Sequence, residues 1–257
     1  MRSRRYLAAT IIVVLVTAVI AAAWPRSAAN VAAAAPPTTT TSTSSTTTTT
    51  KPKPAHPFEA ADAIVPEVLL FHAPGATEPV DSMPNPTIEH VPLAFLVKAH
   101  GPTGWLEVQI SRRPNEATSW IHASDVQLRG VDNRIVIQRE ARQLTVYRGL
   151  TSEKLFEAPV ATGKPATPTP LGDFFVDIVV KVNRPSGAYG PYQLSVAGFS
   201  DVLHSFGGGP GQIAIHGTNH PELIGEFASN GCVRMHNDDV TALSDLAPVG
   251  TPVEIVA

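Results

Sequence analysis

The sequence predicts a mainly β protein, with two small β units carried behind an apolar N-terminal segment and a linker. Three observations predict it. Short apolar runs, several alternating with polar residues, recur through residues 58–257 and are separated by Pro and Gly turns. Only one stretch, from Asn237, combines helix-start chemistry with an apolar face at helical spacing. Strand–helix alternation of the parallel-sheet kind is missing.

Residues 1–25 are expected to be a signal or membrane anchor. Arg2, Arg4 and Arg5 precede Leu7–Trp24, eighteen residues without a charge. That length lies between a long signal-peptide core and a short membrane span. Ala21-Ala22-Ala23 offers a cleavage site, but an uncleaved anchor is the preferred reading. The arginine cluster, against the single Arg26 beyond, places the N-terminus inside and the body outside. Residues 26–57 are expected to be a disordered linker. Thr38–Thr50 is entirely Thr and Ser, and Lys51-Pro-Lys-Pro-Ala-His-Pro57 follows. Such a chain cannot bury enough apolar surface to offset its ordering entropy. At ~3.1 Å per residue it would reach on the order of 100 Å when stretched, enough to lift a domain off a membrane.

A first β unit is expected over 58–130. Val68–His72, Ala94–Lys98, Trp105–Ile110 and Ser119–Ile121 are short apolar runs, ended by Pro74-Gly75, Gly101-Pro102 and Arg113-Pro114-Asn115. The pattern resembles bacterial SH3-like β-barrels, especially Gly104-Trp105-Leu106-Glu107-Val108 and Arg113-Pro114-Asn115 running on to Trp120-Ile121. Trp105 and Trp120 are expected to pack in its core rather than to bind a ligand. His72, His90, His100 and His122 show no ligand-like spacing.

A second unit is expected over 131–257. Its strands are predicted at Arg134–Gln138, Gln143–Tyr147, Leu155–Thr162, Gly172–Val182, Tyr189–Val196, Gln212–His216 and Pro252–Val256. Asn237-Asp238-Asp239 opens the short helix as a capped, acidic first turn, and Val240, Leu243 and Leu246 form its apolar face.

A net charge of −3 with no basic stripe argues against a nucleic-acid partner. Cys232 is the only cysteine, which excludes an internal disulfide. Outside the cytoplasm a free thiol is prone to oxidation, so its retention there points to catalysis. His216 lies sixteen residues upstream, at the end of the alternating run Ile213-Ala-Ile-His216. Thiol acyl transfer needs a thiolate, and a neighbouring imidazole can take the proton and return it. Gly231 leaves the backbone beside Cys232 open to an acyl carbonyl and an oxyanion. Gly217 lets the chain turn, and its carbonyl could fix the imidazole tautomer in place of a carboxylate. Two other readings use these residues. A buried structural cysteine beside a surface histidine is one. The other is zinc, since His216-x₃-His220 and Cys232-x₃-His236 have nearly zinc-like spacing; Pro221 and the lack of a second cysteine argue against it. Gly207–Gly211 lacks the Lys-Ser/Thr of a phosphate loop and reads as a turn.

Residue order separates thiol enzymes. Papain-like and NlpC/P60-type peptidases place cysteine before histidine. Sortases run His, Cys, Arg, but with a Thr-Leu-x-Thr-Cys strand that this chain lacks. His216-Gly217-Thr218-Asn219, with Ser229-Asn230-Gly231-Cys232-Val233-Arg234-Met235-His236-Asn237, resembles the active-site signature of the L,D-transpeptidase (YkuD) catalytic domain. Thr162-Gly163-Lys164 and Thr167–Phe174 resemble that family's strand–loop–strand segment. Many members carry His or Lys where this chain has Asn230.

The resemblance implies a β-sandwich-like catalytic fold, Cys232 as nucleophile, His216 as general base and the Gly217 carbonyl orienting it. It further implies that Ser229, Gly231 and Arg234 shape the site for substrate and oxyanion. The implied partner is a peptidoglycan stem peptide: a tetrapeptide loses its terminal D-alanine, and a neighbouring stem amine resolves the acyl-enzyme into a 3–3 cross-link. Carbapenems are the implied covalent inhibitors. No cofactor and no metal is called for. The integrated expectation is a membrane-tethered or secreted extracytoplasmic transpeptidase with an SH3-like module in front. An L,D-carboxypeptidase using water is the alternative within the same chemistry. A wall-binding protein with a vestigial site is the alternative outside it.

Overall fold

The computed structural model describes residues 56–257. The expected anchor, and the linker up to residue 55, lie outside the described residues. The linker's last two residues are described, and the His56 ring meets the Asp132 carboxylate at 2.7 Å. Among the described residues no helix is long and apolar enough to cross a membrane.

Seven strands come first: β1 (Phe58–Ala63), β2 (Glu67–Leu70), β3 (Asp81–Pro84), β4 (Ala94–His100), β5 (Trp105–Gln109), β6 (Thr118–His122) and β7 (Val126–Val131). Five of them form an antiparallel sheet in the order β6-β5-β4-β1-β7. β2 and β3 form a separate hairpin, tied to β6 by reciprocal bonds between Phe71 and Trp120, at 2.8 and 2.9 Å. Alternation puts Leu106, Val108 and Ile121 in the core of this unit with Phe95 and Leu70. The tryptophans are not core residues, contrary to the sequence expectation. Trp105 and Trp120 occupy the opposite, half-buried face, because the core takes the intervening positions. His122 stacks on Trp105 there with ring centroids 4.1 Å apart.

The second unit runs β8 (Asn133–Gln138), β9 (Gln143–Arg148), β10 (Lys154–Pro159), β11 (Thr162–Gly163), β12 (Gly172–Lys181), β13 (Tyr192–Phe199), β14 (Gln212–His216), β15 (Phe227–Ser229), β16 (Val233–Arg234), α1 (Asn237–Leu246) and β17 (Pro252–Val256). Eight strands form one mixed sheet, β10-β9-β8-β17-β12-β13-β14-β16. Every one of them contributes to a single core, which Val240 and Leu243 of α1 complete. Burying these side chains, at about 25 cal/mol per Å² of apolar surface, is the main term holding the sheet around them. The expected mainly-β unit with one helix is present. Two expectations shift. Leu155–Thr162 breaks at Pro159, which has no N–H to extend a ladder, into β10 and β11. The strand expected from Tyr189 starts at Tyr192, and Tyr189 stands in the preceding turn.

The two units are docked on one another. Leu96 and Phe58 pack on Phe175 and Ala197. The Arg113–Glu116 turn clasps the second unit. Asn115 bonds reciprocally to the Phe199 backbone at 2.8 Å in each direction. Arg113 donates to the Ser200 carbonyl at 2.9 Å, and Glu116 accepts the Asp173 N–H at 2.7 Å. What reads in the sequence as turn chemistry is a latch in the fold.

Candidate active site

The period-2 alternation of β14 sends Ile213 and Ile215 into the core and leaves Ala214 and His216 on the other side of the sheet. β16 pairs with β14 in parallel, Ile215 opposite Val233 and His216 opposite Arg234. Val233 is core, so Cys232 and Arg234 flank it on the His216 side. His216 at the end of β14 and Cys232 just before β16, sixteen apart in sequence, thus share one face. Bonds between Arg234 and Ala161, 2.9 Å in both directions, hold β16 from its other edge.

The turn before Cys232 is closed by Ser229, whose Oγ donates to the Cys232 carbonyl at 2.5 Å and accepts the Gly231 N–H at 3.0 Å. Gly231 has φ +119°, a region that disfavours any side chain, while the space beside it is open. Conformation, not room, requires glycine there. Because the Gly231 N–H is already bonded to Ser229, these two residues shape the nucleophile's turn; their polar groups are spent inside it. The Ser229 carbonyl in turn accepts from the Lys164 N–H at 3.1 Å and the Thr167 hydroxyl at 3.3 Å, so the Thr162–Phe174 segment braces the site.

Ser229→Ala is expected to cost about 1–3 kcal/mol, since both turn groups lose a buried partner. Chemical denaturation measures it, and an unchanged free energy would mean that the Oγ bonds do not hold the turn.

His216 is 4% exposed. Its Nδ1 lies 2.6 Å from the Gly217 carbonyl. A carbonyl only accepts, so Nδ1 carries the proton and Nε2 keeps a lone pair. Burial pushes the His216 pKa down to about 4; the Gly217 carbonyl opposes this and the Arg234 charge adds to it. Burial pushes the half-buried Cys232 thiol up, with the Ala214 backbone N–H and Arg234 pulling the other way. At neutral pH the pair is therefore thiol and imidazole, not thiolate and imidazolium. The Arg234 Nε is buried without a hydrogen-bond partner.

Two further residues belong to the site, neither of which carries a site role in the sequence reading. The Tyr189 ring covers His216 with centroids 4.8 Å apart, while staying 43% exposed. Asn237 closes the signature run and reads as the start of the helix, but His236 holds the N-cap position. The Asn237 Oδ1 accepts the Thr218 N–H at 2.9 Å instead, and any side chain on Gly217 would strike it. A Tyr between glycines, in Ser186-Gly-Ala-Tyr-Gly190, is the available signal for the first; for the second it is its place at the end of the Ser229–Asn237 signature run. The zinc-like spacing does not assemble. His220 is exposed and faces Glu222, and His236 is exposed. Among the described residues no three His, Cys, Asp or Glu side chains gather as metal ligands.

Residues 132–255 match the model of the YkuD family, the L,D-transpeptidase catalytic domain. A putative L,D-transpeptidase, YqjB of Bacillus subtilis, is 36% identical over 129 residues, covering 48% of this chain and 71% of that one. The chain belongs to the L,D-transpeptidase (YkuD) family. The putative L,D-transpeptidase YkuD of Bacillus licheniformis is 38% identical over 122 residues, 48% of this chain. This chain spans 64% of that relative's length. Among solved structures, L,D-transpeptidase 3 from Mycobacterium tuberculosis, in complex with a faropenem-derived adduct, aligns with 64% of this chain and 73% of its own. Its identity is 15% and its TM-score 0.39. The family match begins at residue 132, after β7, so the first sheet and its latch lie outside it.

Proposed function

We propose that this protein is an extracytoplasmic peptidoglycan L,D-transpeptidase that forms 3–3 cross-links through a Cys232 thioester. The observation that carries the reading is the His216 tautomer: Nδ1–H is committed to the Gly217 carbonyl at 2.6 Å, leaving Nε2 as a proton acceptor on the Cys232 side of the sheet. The thiol proton passes to Nε2 as Sγ attacks the carbonyl carbon of the third stem residue. The oxyanion faces the amide of Cys232, since that of Gly231 is occupied, and the guanidinium of Arg234 adds positive charge. Collapse breaks the C–N bond, and the departing D-alanine nitrogen takes the proton from His216. A side-chain amine of a second stem then attacks the thioester. Nε2 accepts its proton, the C–S bond breaks, and the proton returns to Sγ.

The proposed address rests on Arg2, Arg4, Arg5 and Leu7–Trp24, with the Thr/Pro-rich linker as a tether. We read the first unit as an SH3-like wall-facing module, from its short antiparallel strands and half-buried Trp105–His122 face. Carbapenems are proposed to acylate Cys232.

Incubation with a disaccharide-tetrapeptide tests the reading. Mass spectrometry should find a dimer that has lost one D-alanine, with tandem fragmentation placing the new bond between third residues. Tripeptide alone would assign water as the acceptor. Unchanged substrate with folded protein would defeat the reading.

A further inference from the structure

A cavity of about 200 Å³ lies between the two β units, on the sheet face that carries His216. Its polar lining is Thr87, Glu89, Ser111, Arg112, Asp177 and Gln212. Asp177 stands at the bulge of β12, where the register with β13 shifts between Val176 and Ile178, and it is 9% exposed. Its Oδ2 accepts from the Gln212 Nε2 at 2.7 Å. Its Oδ1 is buried with no hydrogen-bond partner, and so is the Thr87 Oγ1. Burial pushes the Asp177 pKa up to about 6; the neighbouring Ser111 hydroxyl and the Gln212 amide oppose this, and the Glu89 charge adds to it. At neutral pH the cavity thus holds an ionised carboxylate with one bare oxygen. Leaving such an acceptor unpaired is costly, and nothing in the acyl transfer derived above uses it.

We propose that this cavity binds an alkylammonium group, its N–H donors reaching Asp177 Oδ1 and Thr87 Oγ1 and its aliphatic chain lying against Ile88, Leu93 and Phe199. The unpaired oxygens can all accept. Asp177 and Glu89 repel an anion. Arg112, the one cation in the wall, is paired with Asp81 and donates to the Ser82 carbonyl at 2.7 Å. Among the described residues no three His, Cys, Asp or Glu side chains gather here as metal ligands. The volume suits a short aliphatic chain. Gln212 opens β14 and His216 ends it, so the site lies roughly 13 Å from His216 along the strand. Two sources fit this chemistry: a free small amine, and the side-chain amine of a peptide laid along β14 from Cys232. Only the second rests on the transpeptidase reading.

The test is titration of the full chain with n-butylamine by NMR, with 1-butanol as the uncharged control. Butylamine should bind and butanol should not. Asp177→Asn should weaken butylamine at least tenfold, and Glu89→Gln, at an exposed position, about twofold to threefold. Thermal melts confirm that each variant is folded. No butylamine binding, equal butanol binding, or unaltered binding to Asp177→Asn would overturn the proposal and leave water as the occupant. Where butylamine binds, a stem tetrapeptide with lysine third that displaces it, while its Nε-acetyl form does not, identifies the peptide. Absence of displacement identifies a free amine. Carbapenem acylation of Cys232 in wild type, measured in parallel, keeps failure of the transpeptidase reading distinct from failure of the amine site.

Discussion

Cys232→Ala should abolish the covalent carbapenem adduct and all turnover of disaccharide-tetrapeptide, and His216→Ala should slow acylation by about 10²–10⁴-fold. The sharper result is the pH dependence of wild-type acylation. His216 acts as a base only while neutral. Burial holds its pKa at about 4 rather than 6.5, so acylation should stay level from neutral pH into the fives and fall as pH drops through about 4. A thiolate–imidazolium pair would also show an acidic limb near 4, since pairing depresses the thiolate pKa, but it would lose its imidazolium on the alkaline side and with it the level plateau through neutral pH. Stopped-flow acylation between pH 3.5 and 8, monitored by the loss of carbapenem absorbance, separates the two. An acidic limb near 6.5 would mean that the imidazole is not buried as neutral base.

The catalytic unit was legible because its signals are local. Gln212–His216 and Pro252–Val256 alternate strictly and form strands with the expected bounds, and Asn237–Leu246 carries an acidic first turn and an apolar face. The Cys232–His216 face was reachable from the alternation of one strand and the glycine next to the thiol. β15 and β16, which flank Cys232, were not. At three and two residues they are too short to show a period, and their pairing with β11 and β14 is parallel and non-local. β1 and β3 were missed for a related reason: Phe58–Ala63 and Asp81–Pro84 have few β-branched residues, and their partners, not their propensities, make them strands.

The tryptophans show a different limit. Strand alternation in Trp105–Gln109 allows either face to be buried, and large aromatic area argued for the tryptophan face. The sheet instead buries Leu106 and Val108, leaving Trp105 to stack on His122. The latch of Arg113–Glu116 and the Asp177 cavity are also invisible in sequence, because each joins residues far apart in the chain: Glu116 and Asp173 are 57 positions apart, and Asp177 and Gln212 are 35. Asp177 reads as one polar interruption of an apolar strand. Only the docking of the first sheet turns it into a buried charge.

That buried charge predicts a stability change larger than most single substitutions. In the folded state the Asp177 carboxyl is held at about 6, against 3.8 for a free side chain. A raised carboxyl pKa means that the folded state prefers the protonated form. The contribution is therefore fully present below about pH 4, fades as pH rises toward 6, and is lost above it; at 1.36 kcal/mol per pH unit the loss is roughly 3 kcal/mol. Asp177→Asn keeps the shape and a neutral group, so it should stabilise the protein by about 3 kcal/mol at pH 8 and by almost nothing at pH 4. His216 acts with the opposite sign. Its depressed pKa costs stability as pH falls below 6.5, by a similar amount once pH is under 4. In wild type the two terms offset one another between pH 4 and 6.5, giving a flat profile there. Asp177→Asn should unmask the His216 term, so that the variant loses stability steadily on acidification through that window. Urea unfolding at pH 4, 6 and 8 measures both effects, and equal gains at all three pH values would show that Asp177 carries no buried charge. A natural chain that keeps a carboxylate at this cost, in a cavity beside the catalytic face, is keeping it for something that binds.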